Sequence, residues 1–65
     1  MKLEEAVKSG KRFRLPGHRW MKVDIVNSNF LESVVVVYAD EAGNKYGYPK
    51  IYVDYLTSDE WEVEK

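Results

Sequence analysis

An α+β fold, with a short N-terminal helix packed on a small antiparallel sheet of four to five strands, is predicted by three features of this sequence. Apolar residues recur with a helical period over residues 3–9. After Gly10 the period drops to two. Turn pairs at Pro16-Gly17 and Gly43-Asn44 then divide the alternating segments into short lengths suited to antiparallel neighbours.

Within the first segment Leu3, Ala6 and Val7 fall at i, i+3 and i+4, with Glu4, Glu5, Lys8 and Ser9 on the other side. Acids in the first turn and Lys8 in the last suit the helix dipole, and Gly10 fits a left-handed C-terminal cap. Two turns are too few for an autonomous helix, so its apolar face must pack on the sheet.

Phe13 and Leu15 alternate with Arg12 and Arg14 and read as a strand ended by Pro16-Gly17. In WMKVDIV, Met21, Val23 and Ile25 share one face, and Trp20, Lys22, Asp24 and Val26 the other. Asn27, Ser28 and Asn29 form the next break. From Phe30 to Ala39 the run Val34–Val37 is apolar on both faces, which marks a central strand or one covered by a partner chain. Asp40–Asn44 is turn chemistry, and Lys45–Tyr48 alternates again before Pro49. Residues 51–56 fit either a strand or a single helical turn, the turn being preferred. Thr57 and Glu60 have capping-box spacing, but Trp61 and Val63 alternating with Glu62 and Glu64 favour a final strand.

Sixty-five residues allow one domain, spanning 1–65. Leu, Ile, Val and Phe supply 17 of them, enough for a folded chain. A monomer of this size buries only about 60% of its unfolded surface, and with no cysteine available for disulfides, oligomerisation is the remaining source of stability. The early helix can cover only one face of the Val34–Val37 strand. The other face is therefore expected to be buried by another subunit, in a dimer or tetramer.

One histidine, His18, and no cysteine exclude thiol chemistry and the usual zinc ligand sets. No serine lies in a GxSxG elbow, and neither glycine-rich phosphate-loop pattern occurs. The expectation is a protein that is not an enzyme, with no cofactor and no metal. No apolar run reaches the roughly 18 residues of a membrane span, and acids occupy the place of a leader's apolar stretch. A cytoplasmic protein with no membrane contact is expected.

Ten basic and eleven acidic side chains nearly balance overall, yet they are unevenly placed. Residues 1–22 carry seven basic against two acidic groups, and residues 23–65 three against nine. Between Lys11 and Lys22 lie five cations, His18 and no acid, a segment suited to an anionic ligand. Long nucleic acid is disfavoured, because the acidic second half would repel the rest of a duplex. Trp20, Tyr38, Tyr46, Tyr48, Tyr52, Tyr55 and Trp61 offer stacking surfaces with polar tips, although for any single ring core filling is the favoured reading. Tyr46 and Tyr48, alternating with Lys45 and Gly47 beside a turn, are expected to face solvent or a ligand.

The opening EEAVKSGK followed by RFRLPG and Trp20, together with the ending YLTSDEWEVE, resembles the phage family of Thoeris anti-defence two-like proteins. The resemblance covers about half of the chain, at its two ends. It implies a symmetric oligomer that holds a cyclic nucleotide immune signal, a cyclic ADP-ribose isomer or cyclic oligonucleotide, and sequesters it unchanged in the host cytoplasm. On that reading Arg14, His18 and Arg19 contact phosphate, and Trp20 with Tyr46 or Tyr48 stacks on a base. Asp54 accepts from a ribose hydroxyl or an adenine amine. Because one relative is an anti-CRISPR protein, the alternative is a small inhibitor or adaptor. It would bind a host protein through an aromatic and acidic surface built on Trp61, Glu60, Glu62 and Glu64.

Overall fold

The computed structural model describes residues 1–27 and 32–65. The elements in chain order are α1 (Leu3–Lys8), β1 (Phe13–Arg14), β2 (Met21–Asn27), β3 (Glu32–Ala39), β4 (Lys45–Gly47), α2 (Val53–Leu56) and β5 (Glu62–Val63). The strands form one antiparallel sheet in the order β4-β3-β2-β1-β5, an α+β architecture with five strands.

Ala6 on α1 is fully buried, with Leu3 and Val7 packed beside it against the sheet, as the i, i+3, i+4 spacing requires. Gly10, at φ +73°, donates its N–H to the Val7 carbonyl at 3.3 Å and turns the chain out of the helix. Pro16 and Gly17 fill the centre of the next reversal. The His18 N–H returns to the Leu15 carbonyl at 3.0 Å, and Gly17 takes the positive φ of +83° that the third position of a type II turn demands.

β2 and β3 pair over their full length, from Met21 opposite Tyr38 to Asn27 opposite Glu32. Asn27 therefore belongs to β2, one residue into the expected break. That break at Ser28 and Asn29, and the expected strand start at Phe30, lie outside the described residues. In the β3–β4 turn Gly43 has φ +85°, whereas Asn44 stays at negative φ; the Asp40 carboxylate accepts from the Ala42 and Asn44 N–H groups at 3.0 and 2.8 Å. β4 spans only Lys45–Gly47, and residues 51–56 contribute the single turn α2. Thr57 closes the C-terminal end of α2 and starts no helix of its own, so the capping-box spacing is coincidental.

The core is Ala6, Phe13, Leu15, Met21 and Trp61, with Val23, Val36, Tyr38, Tyr55 and Val63 alongside. Phe13 and Trp61 meet edge to face, with centroids 5.8 Å apart. The Trp61 indole donates to the Tyr55 carbonyl at 2.8 Å, fixing α2 against the sheet. The Trp61 N–H in turn donates to the Met1 carbonyl at 3.1 Å, which ties the last strand to the chain ahead of α1.

Trp61 is thus a core residue, 2% exposed, and cannot serve as the partner-binding aromatic of the inhibitor reading. The faces of β3 follow from its register. The register places Val34 opposite Ile25 on the same side of the sheet as Met21 and Val23, so this pair lies on the helix-covered face, beyond the helix's reach. Ile25 is 56% and Val34 63% exposed. On the opposite face Val37 is buried within the protomer. Among the described residues no helix is long and apolar enough to cross a membrane.

A candidate anion-binding face

Alternation along β1 sends Phe13 into the core and Arg12 and Arg14 to the opposite face of the sheet. β5 alternates in step: Arg14 stands opposite Glu62, and Phe13 opposite Val63. Two cross-strand ion pairs result. Arg14 Nε donates to Glu62 Oε1 at 2.7 Å. Arg12 Nε donates to Glu64 Oε2 at 2.7 Å, its Nη2 reaches the other carboxylate oxygen, and its Nη1 donates to the Ala39 carbonyl at 3.3 Å. This second pair is the more enclosed, the Arg12 side chain being 11% exposed against 34% for Arg14.

Trp20, just ahead of β2, shares this face. Its ring lies 4.1 Å from the Arg14 guanidinium carbon and 5.4 Å from that of Arg12. Glu62 and Glu64 thus hold two guanidiniums against one indole, a geometry that gains from cation–π attraction. The hydrogen bond to Glu64 raises the Arg12 pKa above the ordinary arginine value, and the same bond holds the Glu64 carboxyl below the ordinary glutamate value. Lys11 and Lys22 add smaller contributions in the same direction to Glu64. Further along the face, Lys45 pairs with Asp24 and lowers the pKa of that carboxyl.

Lys11 and Lys22 border two adjoining clefts. One, of ≈ 290 Å³, sets Lys11, Arg12 and Lys22 against Asp40, Glu41 and Glu64. The other, of ≈ 250 Å³, has apolar walls from Val7, Phe13 and Val23 below the two lysines. Among the described residues neither lysine forms an ion pair.

The fold brings Arg14 and Trp20 into direct contact. His18 and Arg19 follow in the turn that joins β1 to β2, both exposed, and the His18 ring meets Tyr55 edge-on at 5.2 Å. Asp54, exposed on α2, precedes Tyr55. Tyr46 and Tyr48 are exposed, as expected, but lie at the other end of the sheet, three strands from Arg14. Tyr46 stacks on Tyr38, with centroids 5.6 Å apart, on the helix-covered face. Within one protomer the tyrosine pair and the Arg14–Trp20 pair therefore do not line one pocket.

Arg12, Lys11 and Lys22 were not singled out by sequence reasoning beyond their place in the acid-free segment. The available signal was the matched alternation of Arg12/Arg14 with Glu62/Glu64. It becomes readable only once β1 and β5, 48 residues apart in chain position, are known to be neighbours.

Fold and face together define a small α+β protein with a cation-rich, aromatic-bearing sheet surface. No family model, curated protein or solved structure matches the chain.

Proposed function

We propose that this protein is a binding protein that sequesters a small cyclic nucleotide signal, without turnover, on the face built around Arg14 and Trp20. The observation that carries this reading is the state of the Arg14 guanidinium. Its Nε is held by Glu62 and its plane lies near the indole, while its two Nη atoms make no hydrogen bond among the described residues. An arginine oriented in this way keeps its outer donors for a phosphate and loses little side-chain freedom on binding. Arg19 and His18 extend the positive end of the surface, and the Lys11–Lys22 clefts offer further phosphate partners beside an apolar wall.

In the setting implied by the resemblance of the two termini, the protein is phage-encoded. It acts in the host cytoplasm by keeping an immune signal from its effector. His18 is the one histidine in the chain, and its ring contact is Tyr55.

The test is a thermal melt against a panel of cyclic dinucleotides and cyclic ADP-ribose isomers. Ligand at about one hundred times its Kd adds roughly 2.7 kcal/mol, a shift of several degrees for a domain of this size. Arg14→Ala is expected to weaken binding tenfold to a hundredfold, corresponding to about 1.5–3 kcal/mol for a lost charge-assisted contact. Its effect on folding stays within about 1 kcal/mol, because the Glu62 pair is partly solvent-exposed. Unchanged affinity in folded Arg14→Ala protein removes the phosphate role. A hydrolysed product recovered from the heated complex moves the protein into the enzyme class.

A further inference from the structure

β1 and β2 share a single rung, Phe13 with Met21. The Trp20 carbonyl accepts the Ala39 N–H at 3.1 Å on the β3 side, so alternation gives the backbone groups of Lys22 and Asp24 to β3 and turns those of Met21, Val23 and Ile25 towards β1. The next rung would join Val23 to Lys11, and it is not made. Gly10 carries the chain away at φ +73°, and the Lys11 N–H donates to Ser9 Oγ at 3.1 Å. Among the described residues no hydrogen bond reaches the Val23 N–H or carbonyl from the β1 side.

The cleft of ≈ 250 Å³ occupies the place of this missing rung. Gly10 and Lys11 border it on one side, Lys22 and Val23 on the other, and Val7 and Phe13 complete its walls. No acid lines it, in contrast to the adjoining cleft with Asp40, Glu41 and Glu64. Sites that enclose a drug-sized ligand measure roughly 300–1,000 Å³, so this smaller space suits one ring system.

We propose that the gap is a nucleobase subsite, in which the Val23 N–H and carbonyl pair with the edge of a base, the ring lies against Val7 and Phe13, and the attached phosphate meets Lys11 and Lys22. The inference rests on the nucleotide reading above and adds which part of the ligand is recognised here. An extended residue presents its N–H and C=O side by side, as a donor next to an acceptor. Adenine offers the complementary pair, an amino N–H beside a ring nitrogen with a lone pair. An added peptide strand fits less well, because it needs several consecutive rungs and the Ile25 N–H is already taken by the Asp24 carboxylate at 3.0 Å. A single rung matches the length of a base edge. The two lysines, which form no ion pair among the described residues, supply the charge that a phosphate needs.

The test titrates three probes to millimolar concentration into the full chain and follows the backbone amides by NMR. The probes are AMP, ribose phosphate, and etheno-AMP, in which an added ring closes the adenine edge. AMP is expected to shift the Val23 and Lys11 signals, and ribose phosphate to shift Lys11 with Val23 unmoved. Etheno-AMP should bind about tenfold more weakly than AMP, for the loss of the base-edge contact. Val23→Pro removes the outward N–H, which the β3 ladder does not use, and should weaken AMP by a similar factor with ribose phosphate unaffected. Should that variant fail to fold, the two nucleotides on the unchanged chain still decide. Equal affinity for AMP and etheno-AMP, or a member of the cyclic nucleotide panel that binds without moving Val23, overturns this inference and leaves the Arg14 reading standing. Binding by none of these nucleotides overturns both.

Discussion

The body of the molecule and the β2–β3 ribbon are built from opposite kinds of sequence. In the body, β1 and β5 are two residues each, and α1 is six. Yet they carry Phe13 at 1% exposure, Ala6 at 0% and, just before β5, Trp61 at 2%. The ribbon has the longest strands, seven and eight residues, with unbroken pairing and the most β-branched composition in the chain. Its outward pair Ile25 and Val34 is nevertheless more than half exposed. Strength of local pattern and depth of burial are thus separate quantities. The ribbon is specified by its own alternation and the hairpin register, whereas the body depends on side chains brought together from both ends of the chain.

The body's dependence on distant side chains is greatest at Trp61. Truncating a buried tryptophan removes its packing on Phe13 and its hydrogen bond to Tyr55, at a cost of about 3–5 kcal/mol. Small domains have little more than that in total, so Trp61→Ala is expected to lose its cooperative thermal transition by circular dichroism. A Trp61→Ala protein that melts like wild type would show that the ribbon, and not the body, holds the fold.

An intermediate effect is expected at the ion pairs, and pH separates the two regions. Glu64 titrates below its ordinary value of 4.5 because Arg12 hydrogen-bonds it. A carboxyl with a depressed folded pKa contributes stability that is fully present above the unfolded value and is lost as pH falls through the folded one. The melting midpoint should therefore drop as pH is taken below 4.5, and Glu64→Gln should flatten that dependence while lowering the midpoint at neutral pH. Asp24, paired with Lys45 at the ribbon, has the same sign of shift from an ordinary value of 3.8. Its lysine is 47% exposed where Arg12 is 11%, so solvent screens the pair more and Asp24→Asn should change the profile less. An Asp24→Asn effect equal to that of Glu64→Gln would remove the distinction in burial.

The smallest effect is expected at the ribbon's exposed valine. Val34→Thr keeps the branched shape, and in dilute protein it should change the unfolding free energy by no more than about 0.5 kcal/mol in a urea titration. A loss of 2 kcal/mol or more in monomeric protein, on the scale of core methyl deletions, would mean that Val34 is buried within the protomer.

Elements whose signals are local are legible in the sequence. The i, i+3, i+4 spacing of Leu3, Ala6 and Val7 gave α1 its buried side, Gly10 and Gly17 sit at positive φ where the turns need them, and the alternation of Met21, Val23 and Ile25 assigned the faces of β2. Each rests on conformational preferences or periodicities within a few residues. Which strands are neighbours depends on how the whole chain packs. Pairing β1 with β5 buried Trp61, an aromatic that sequence alone left open to a partner, and turned Arg14 from a solvated cation into one held by Glu62 over Trp20. The order β4-β3-β2-β1-β5 also separates Tyr46 and Tyr48 from Arg14, although the resemblance of the termini implies one site for all three. Contact between residues 14 and 62 carries no mark in the local sequence of either. It is fixed by the burial of the whole core, in which many small contributions choose one strand order together.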